Sequence, residues 1–258
     1  MSYEPLSLAG RTAVVLGGTS GIGRTLSLGL ATAGADVVAS ARRPHLVDAV
    51  ASEIEREGRK TLRVTSDVAD KSSLERLLAA TLAAFGKVDV MVYCAGITKR
   101  VPTLDMSEAD WNAILDTNLT GALRACQVFG RPMLEQGSGS IINVGSLSSF
   151  VALHEVAAYA ASKAALVSLT KSLAIEWAPK NVRVNAIAPG VFRTELNRAL
   201  LDGSERGREF LMRTPMNRFG KIEELAGAAI FLASDAASFV TGEVIVVDGG
   251  FLASGVNR

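Results

Sequence analysis

Short apolar segments alternate with helical segments along this 258-residue chain, and no other feature of the sequence limits the possible folds as strongly. Runs rich in β-branched residues predict seven strands, at residues 12–16, 36–40, 61–65, 88–93, 140–144, 182–188 and 243–247. Apolar residues at helical spacing predict helices between them, at residues 21–33, 45–57, 72–85, 122–134, 157–178 and 222–233. Apolar strands joined by helices are typical of a parallel sheet covered on both faces, with ligands at the carboxyl ends of its strands. We therefore expect an α/β fold with a doubly wound parallel sheet of about seven strands.

One domain accounts for the whole length of the chain. The sequence has no linker rich in Pro, Gly or Ser, no block of like charge and no repeat, so we predict a single domain over residues 1–258. Residues 193–218 break the alternation, because they are charged, interrupted by glycine and poorly periodic. We interpret this segment as a lid over the substrate, with an ordinary surface excursion as the alternative.

The charges of the chain nearly cancel. Lysine and arginine total 27 against 26 acidic residues, so the formal net charge is +1. A chain with so little net charge has no overall field to attract nucleic acid or an anionic membrane. No apolar run reaches the length of about 18 residues that a membrane helix needs. We therefore expect a small-molecule partner, and neither nucleic acid nor a membrane.

Cysteine and histidine are both scarce. Cys94 and Cys126 are too few for a disulfide framework and too far apart for a close zinc pair, which suits the reducing cytoplasm. His45 and His154 stand in no cluster with metal-ligand spacing. Residues 1–11 lack the basic start and apolar run of a secretory signal. We therefore predict a cytoplasmic protein without a catalytic metal.

The first predicted strand runs directly into a glycine-rich turn that opens the first helix. The turn contains Gly17, Thr19, Ser20, Gly21, Ile22 and Gly23. Glycines let the backbone turn sharply and approach a pyrophosphate, whose charge is met by N–H groups and the positive end of the helix dipole. A purely structural turn is the alternative, but this position between strand and helix is typical of a dinucleotide site.

The end of the second predicted strand carries arginines where NAD-binding proteins carry an acid. About 20 residues beyond the glycines, an Asp or Glu would accept hydrogen bonds from the ribose hydroxyls of NAD. The chain has Arg42 and Arg43 there instead. A guanidinium can pair with the 2′-phosphate of NADP and stack on adenine, so we expect NADP in preference to NAD. The alternative is that both arginines are solvated residues at the start of the next helix.

Tyr159 and Lys163 are four residues apart on a predicted helix, so both side chains leave the same face. A lysine cation beside a phenol favours the phenolate and lowers the tyrosine pKa from its usual value of about 10. Tyr159 is therefore a candidate general acid and base. Ser146 follows the strand predicted at residues 140–144 and precedes Tyr159 by thirteen positions. Its hydroxyl is a candidate to hold the oxygen of a substrate.

These motifs occur together with Asp67, Ala95-Gly96, Asn118, Pro189-Gly190 and Thr194, in an order and spacing that resemble the short-chain dehydrogenase/reductase family. The resemblance covers residues 11–250. It implies a single-domain Rossmann fold and an oxidoreductase that transfers a hydride between nicotinamide and a small alcohol or ketone.

The resemblance also implies a role for each matching residue. Tyr159 would transfer the proton, and Lys163 would bind the nicotinamide ribose and lower the tyrosine pKa. Ser146 would orient and polarise the carbonyl, and Asn118 would hold a water that links Lys163 to solvent. Besides the glycine turn, the two arginines, Tyr159 and Lys163, the residues implied to contact the cofactor are Asp67, Val68, Ala95, Gly96, Pro189, Gly190, Val191 and Thr194.

Two positions depart from the family pattern. Leu16 replaces the usual Thr before the first glycine, and Tyr93-Cys94 replaces the usual Asn-Asn before Ala95-Gly96. In the family these polar residues mainly knit the sheet and support the cofactor. The departures therefore bear on affinity and local geometry, and not on the class of reaction.

The loop after Ser146 and the segment 193–218 are expected to form the walls of the substrate site. The candidate contacts are Ser146, Leu147, Leu153, His154, Val156 and Tyr159. The overall pattern, including the ending Val247-Asp248-Gly249-Gly250-Phe251, resembles gluconate 5-dehydrogenase and related sugar-acid and polyol dehydrogenases. Relatives of this kind are often tetramers, which implies a homotetramer built through the helices at 122–134 and 157–178 and the C-terminal strand, with a monomer as the alternative.

Two other functions remain as alternatives. Ala95-Gly96-Ile97-Thr98 also resembles 3-oxoacyl-carrier-protein reductases. An acidic carrier needs basic docking residues, and Glu135-Gln136-Gly137 stands where that branch usually has a basic cluster. The other alternative is a catalytically silent dinucleotide-binding sensor on the same fold. It is disfavoured because Ser146, Tyr159, Lys163 and Asn118 are all present.

Overall fold

The computed structural model describes residues 4–194 and 198–255. Its strands are β1 (Thr12–Leu16), β2 (Asp36–Ser40), β3 (Val90–Tyr93), β4 (Gly139–Val144), β5 (Val182–Pro189) and β6 (Val244–Val247). All neighbouring strands are parallel, and they form one sheet in the order β2-β1-β3-β4-β5-β6. Because β1 lies between β2 and β3, the direction in which successive strands are added to the sheet reverses at β1. Such a topological switch point leaves a crevice at the carboxyl ends of the strands.

The helices connect successive strands or follow them. They are α1 (Gly21–Thr32), α2 (Pro44–Arg56), α3 (Lys71–Phe85), α4 (Glu108–Leu115), α5 (Gly121–Gln136), α6 (Ala157–Trp177), α7 (Arg198–Leu201), α8 (Glu205–Arg213) and α9 (Ala226–Ala233). The helical periodicity predicted α1, α2, α3, α5, α6 and α9 within a few residues of these bounds. It did not predict α4, α7 or α8. Within residues 4–194 and 198–255, none of the helices combines the length and hydropathy that crossing a bilayer requires.

The expected count of seven strands is wrong, because the sheet has six. Residues 61–65 run beside β2 without forming a ladder. Backbone hydrogen bonds join the segment to this edge only at its two ends, from the Val37 N–H to the Lys60 carbonyl at 3.0 Å and from the Ser66 N–H to the Ala41 carbonyl at 3.1 Å. Between them a side chain makes the contact, as Ser40 Oγ donates to the Val64 carbonyl at 2.6 Å. The β-branched composition of this segment therefore reflects packing beside the sheet and not membership of it.

Two apolar clusters cover the two faces of the sheet. Successive residues of β1 alternate between them: Ala13 and Val15 pack in the cluster with α1 and α9, while Val14 and Leu16 pack in the cluster with α3, α5 and α6. This alternation follows from the two-residue period of a strand. Both faces are thereby buried, and the carboxyl edge of the sheet is left for function.

A single π-helical turn, Asp116–Thr120, precedes α5 and carries Asn118. Its position is held by Tyr93 at the end of β3, whose fully buried phenol donates to the Thr117 carbonyl. Burial raises the pKa of Tyr93, so the phenol keeps its proton and remains a donor. The residue that departs from the family pattern thus supports the turn that positions Asn118.

Replacing Tyr93 with Phe is expected to lower the free energy of unfolding by about 1–3 kcal/mol, because the Thr117 carbonyl loses a buried donor. Urea denaturation followed by circular dichroism measures the change. A variant as stable as the wild type would show that this hydrogen bond contributes nothing net to folding.

Candidate active site

A cavity of about 670 Å³ opens at the carboxyl ends of the strands. Cavities of about 300–1,000 Å³ are typical of small-molecule sites. Most of the residues singled out in the sequence line it, namely Gly17, Thr19, Ser20, Gly21, Ile22, Gly23, Arg42, Arg43, Asp67, Val68, Ala95, Gly96, Ser146, Leu147, Leu153, Val156, Tyr159, Lys163, Pro189, Gly190, Val191 and Thr194. The tertiary structure therefore brings together residues that are spread over more than half of the sequence.

Two candidates do not line the cavity. The side chain of His154 is 78% exposed, and its Nδ1 lies 3.6 Å from Glu155 Oε2, so the structure places this imidazole outside the lining of the cavity. Asn118 is fully buried behind the wall. Its amide donates to the Ile97 carbonyl at 2.9 Å and to Ser162 Oγ at 3.0 Å, and its Oδ1 accepts from the Ile97 N–H at 2.8 Å. These bonds fix the segment after β3 against α6.

The glycine turn lets β1 and α1 approach closely. Gly17 has φ +75°, and a Cβ on Gly23 would stand 2.0 Å from the Gly17 carbonyl oxygen. Ser27 Oγ holds the turn by donating toward the Gly18 and Gly23 carbonyls, each at 3.0 Å. No side chain from the N-cap residue Ser20 caps α1. The first N–H groups of α1 are thus available to an anion at the end of the helix where its dipole is positive.

These features fit the pyrophosphate of a dinucleotide, and the opposite part of the cavity fits the nicotinamide ribose. A Cβ on Gly96 would lie 3.4 Å from Asn118 Oδ1 and 3.6 Å from Lys163 Nζ. A side chain at this position would therefore compete for the space beside the lysine. Glycine at residue 96 leaves the ammonium group accessible from the cavity.

The adenosine end of the cavity is basic. Arg42 and Arg43 follow β2 and are exposed, and neither guanidinium pairs with a carboxylate among the residues that the structure describes. β2 itself ends at the buried Ser40, which donates to the Val64 carbonyl. Asp67 accepts from the N–H of Ala69 at 3.0 Å and so forms a tight turn at the adenine side. Two positive charges without a carboxylate partner among the described residues therefore lie at the end of the cavity next to β2.

Ser146, Tyr159 and Lys163 meet at the inner end of the cavity. Lys163 is 4% exposed, its Nζ donates to the Val144 carbonyl at 2.7 Å, and it lies 5.7 Å from the centroid of the Tyr159 ring. Ser146 Oγ accepts from the N–H of Ser148 at 3.1 Å. A hydroxyl can donate its own proton while it accepts a hydrogen bond, and the Ser146 side chain lies close enough to the Tyr159 phenol to influence its pKa.

The pKa of Tyr159 is shifted in the direction opposite to the one expected from the sequence. Burial of the phenol raises its pKa, and the hydrogen bond from Ser146 offsets part of this rise. Burial also lowers the pKa of Lys163 to about 8, which weakens the positive charge that was expected to act on the phenol. Desolvation disfavours the charged form of both groups, and it is the largest cause of each shift.

Several cavity residues were missed by the sequence analysis. Cys94 lies near Lys163 and Tyr159, and burial raises the pKa of its thiol to about 11. Ser148 has a buried hydroxyl without a hydrogen-bond partner. Arg206 and Phe210 line the cavity from α8 and are four residues apart, a spacing that could have been recognised had the helix been predicted. The remaining lining residues are Ala41, Ser66, Ala69, Ile97, Thr98, Thr117, Val144, Gly145, Phe192 and Leu201.

Comparisons with known proteins agree with this geometry. The family model described as Enoyl-(Acyl carrier protein) reductase matches residues 17–252. The chain is 39% identical to gluconate 5-dehydrogenase of Gluconobacter oxydans over 255 residues, which are 98% of this chain and 100% of that protein. It is 39% identical to D-threitol dehydrogenase of Mycolicibacterium smegmatis over 244 residues, with 95% and 94% of the two chains covered.

Solved structures extend the similarity to three dimensions. A gluconate 5-dehydrogenase from Burkholderia cenocepacia, crystallised in complex with NADP and tartrate, superimposes with a TM-score of 0.93 at 39% identity. The match covers 97% of this chain and 98% of the other. The similarity covers nearly the full length of the chain, and the serine, tyrosine and lysine lie together at the carboxyl edge of the sheet. The chain therefore belongs to the short-chain dehydrogenase/reductase family of NAD(P)-dependent oxidoreductases.

Proposed function

We propose that this protein is an NADP-dependent dehydrogenase that interconverts a secondary alcohol and a ketone on a small sugar acid or polyol. The observation that carries the proposal is one continuous cavity, with a glycine turn at one end and Ser146, Tyr159 and Lys163 at the other. The relatives include both a sugar-acid and a polyol dehydrogenase, which supports this class of substrate.

The residues present suit each part of NADP. The N–H groups at the start of α1 would bind the pyrophosphate, and Arg42 and Arg43 would bind the 2′-phosphate. Asp67 and Val68 would contact adenine, Ala95, Gly96 and Lys163 the nicotinamide ribose, and Pro189, Gly190, Val191 and Thr194 the carboxamide. The bound cofactor would supply or accept the hydride, which is chemistry that no side chain provides.

The protein itself handles the proton. Ser146 donates a hydrogen bond to the substrate oxygen, and Tyr159 gives that oxygen a proton during reduction or removes one during oxidation. A phenol with a raised pKa stays protonated at neutral pH, as reduction requires. Lys163 Nζ donates to the Val144 carbonyl, which holds the ammonium group in place. From this position its charge stabilises the Tyr159 phenolate that forms during reduction. Asn118 fixes the neighbouring segment and remains our candidate for holding a water next to Lys163.

The substrate is proposed to lie between two walls. One wall is the loop after β4, with Leu147, Leu153 and Val156. The other wall is the lid at residues 193–218, which belongs to the same domain. Leu201 of α7 and Phe210 of α8 line the cavity from this segment, and residues 195–197 lie outside the described residues.

The proposal is tested by following nicotinamide absorbance with the purified protein. We expect oxidation of D-gluconate or a polyol with NADP, or reduction of 5-keto-D-gluconate with NADPH, to exceed turnover of acetoacetyl thioesters. Faster turnover of the thioesters would favour the 3-oxoacyl-carrier-protein reductase alternative. NADPH binding without turnover of any carbonyl compound would favour the silent sensor.

Replacing Arg42 and Arg43 together with Ala is expected to lower kcat/KM with NADP at least about 100-fold, because charge-assisted hydrogen bonds to phosphate contribute about 1.5–3 kcal/mol each. The kcat/KM with NAD should change much less. Steady-state kinetics with both cofactors measure the two effects. Arg56→Ala, at the far end of the same helix α2, is the matched control. Equal losses with both cofactors would contradict a 2′-phosphate site at these arginines.

We also propose a homotetramer in the cytoplasm. Ile175 of α6 and Phe239 near β6 are large apolar side chains with high exposure, on or beside the elements expected to form the interface. Cys94 and Cys126 are both free thiols, which suits a reducing compartment. Light scattering of the purified protein measures the mass of the assembly, and a monomer would contradict the proposed tetramer.

A further inference from the structure

The guanidinium of Arg206 reaches the cavity from α8 without a counterion. No carboxylate among the described residues lies within ion-pair distance of it. Its Nη1 is 3.5 Å from the main-chain carbonyl of His154, and its Cζ lies 5.5 Å from the centroid of the Phe210 ring. These contacts hold the guanidinium between the two walls of the substrate site and leave most of its five N–H donors unused.

One of these donors is buried. The Nε of Arg206 is inaccessible to solvent and has no hydrogen-bond partner. A buried donor without an acceptor costs free energy, so such groups in folded proteins require an explanation, a missing ligand being one. The two terminal Nη groups of a planar guanidinium can bind the two oxygens of a carboxylate side by side.

The charged groups around Arg206 do not neutralise it. Glu155 is engaged by Arg100, whose Nε lies 2.7 Å from its carboxylate, with His154 Nδ1 at 3.6 Å from the same oxygen. Burial lowers the pKa of Arg206, as does the charge of Arg100, while Glu155 and Glu209 raise it. An arginine remains charged despite such a shift. These four side chains sum to no net charge, but among the described residues neither carboxylate lies within ion-pair distance of the Arg206 guanidinium.

We propose that Arg206 binds the carboxylate of the substrate, so that the site selects small hydroxy or keto acids over neutral polyols of the same length. This inference rests on the proposed function, because it assigns a residue and a charge to the substrate of the same site. The leucine and valine side chains on the opposite wall offer no charge of their own. Along the lining of the cavity near Ser146, Lys163 and Arg206 are the charged side chains among the described residues, and Lys163 is bonded to Val144.

The test compares D-gluconate with D-glucitol, which has the same chain length and no carboxylate. Arg206→Met keeps an unbranched side chain of similar length and removes the charge. We expect it to raise the KM or inhibition constant for D-gluconate about 10- to 100-fold, with at most a threefold change for D-glucitol. Arg206→Lys should retain part of the affinity for D-gluconate. Arg208→Met is the matched control, since Arg208 is exposed on α8 and does not line the cavity.

A second readout does not depend on turnover. With NADPH present, which cannot accept a hydride from D-gluconate, D-gluconate should raise the melting temperature of the wild type and of Arg208→Met, but not that of Arg206→Met. If Arg206→Met weakens D-gluconate and D-glucitol equally, or weakens neither, Arg206 is not the carboxylate-binding residue. That result would not contradict the proposed dehydrogenase activity. The activity is contradicted only if the wild type transfers no hydride to or from any of the tested alcohols and ketones.

Discussion

Replacing Tyr159 with Phe is expected to lower kcat about 100- to 10,000-fold for whichever alcohol or ketone the wild type turns over, because general acid–base catalysis contributes a factor of this size. The substitution removes only the hydroxyl. The ring stays in place between Lys163 and the cavity, so the binding surface is preserved. Stopped-flow or steady-state measurement of nicotinamide absorbance determines kcat.

NADPH binding separates this result from a damaged site. Titration of NADPH fluorescence should give the same dissociation constant for the Phe variant as for the wild type, within about threefold. In the wild type, oxidation of an alcohol should accelerate as pH rises, since burial raises the pKa of Tyr159 and the phenolate is the base. A Phe variant that retains more than about a tenth of wild-type kcat would remove Tyr159 from the role of proton donor.

Replacing Gly23 with Ala is expected to abolish dinucleotide binding. The added Cβ would stand 2.0 Å from the Gly17 carbonyl oxygen, so the turn or the start of α1 must move. Overpacking of this kind costs about 1–3 kcal/mol and occasionally more, and displacing the helix N–H groups should weaken NADPH binding at least about 100-fold. Isothermal titration calorimetry measures the affinity, and thermal unfolding measures the loss of stability.

Gly227→Ala is the matched control for this substitution. Gly227 lies in α9, where a Cβ would meet nothing within 4 Å. Alanine is favoured over glycine inside a helix by about 1 kcal/mol, so this variant should bind NADPH normally and unfold no earlier than the wild type. Normal NADPH affinity in Gly23→Ala would show that the close approach of the turn to α1 is not required for binding.

The local patterns predicted most of the framework correctly, for reasons that can be named. Apolar residues on both faces identified β1 as a buried parallel strand, because each of its residues packs in one of two cores. The glycine turn was recognisable because close backbone approach needs glycine. Tyr159 and Lys163 were paired correctly because four residues bring two side chains to one helix face.

The errors arose where distant residues compete with local preference. Residues 61–65 have the composition of a strand, yet backbone hydrogen bonds join this segment to the β2 edge only at its two ends, and the Ser40 side chain bonds the Val64 carbonyl between them. The expected decrease in the pKa of Tyr159 considered the lysine charge alone. Burial by the surrounding elements acts on both groups and reverses the direction. Arg206 was missed because residues 193–218 lack the periodicity from which a helix is predicted.

By itself, the sequence determined the α/β class, the phosphate-binding turn and the pairing of Tyr159 with Lys163, because each depends on spacing within one element or one turn. Only the tertiary structure decided which residues share the cavity, which ones stay outside it, and how far burial shifts the pKa of a phenol. Those properties depend on the positions of elements far apart in the chain. The Arg206 guanidinium, which has no carboxylate at ion-pair distance among residues 4–194 and 198–255, could be recognised only from the positions of those carboxylates in space.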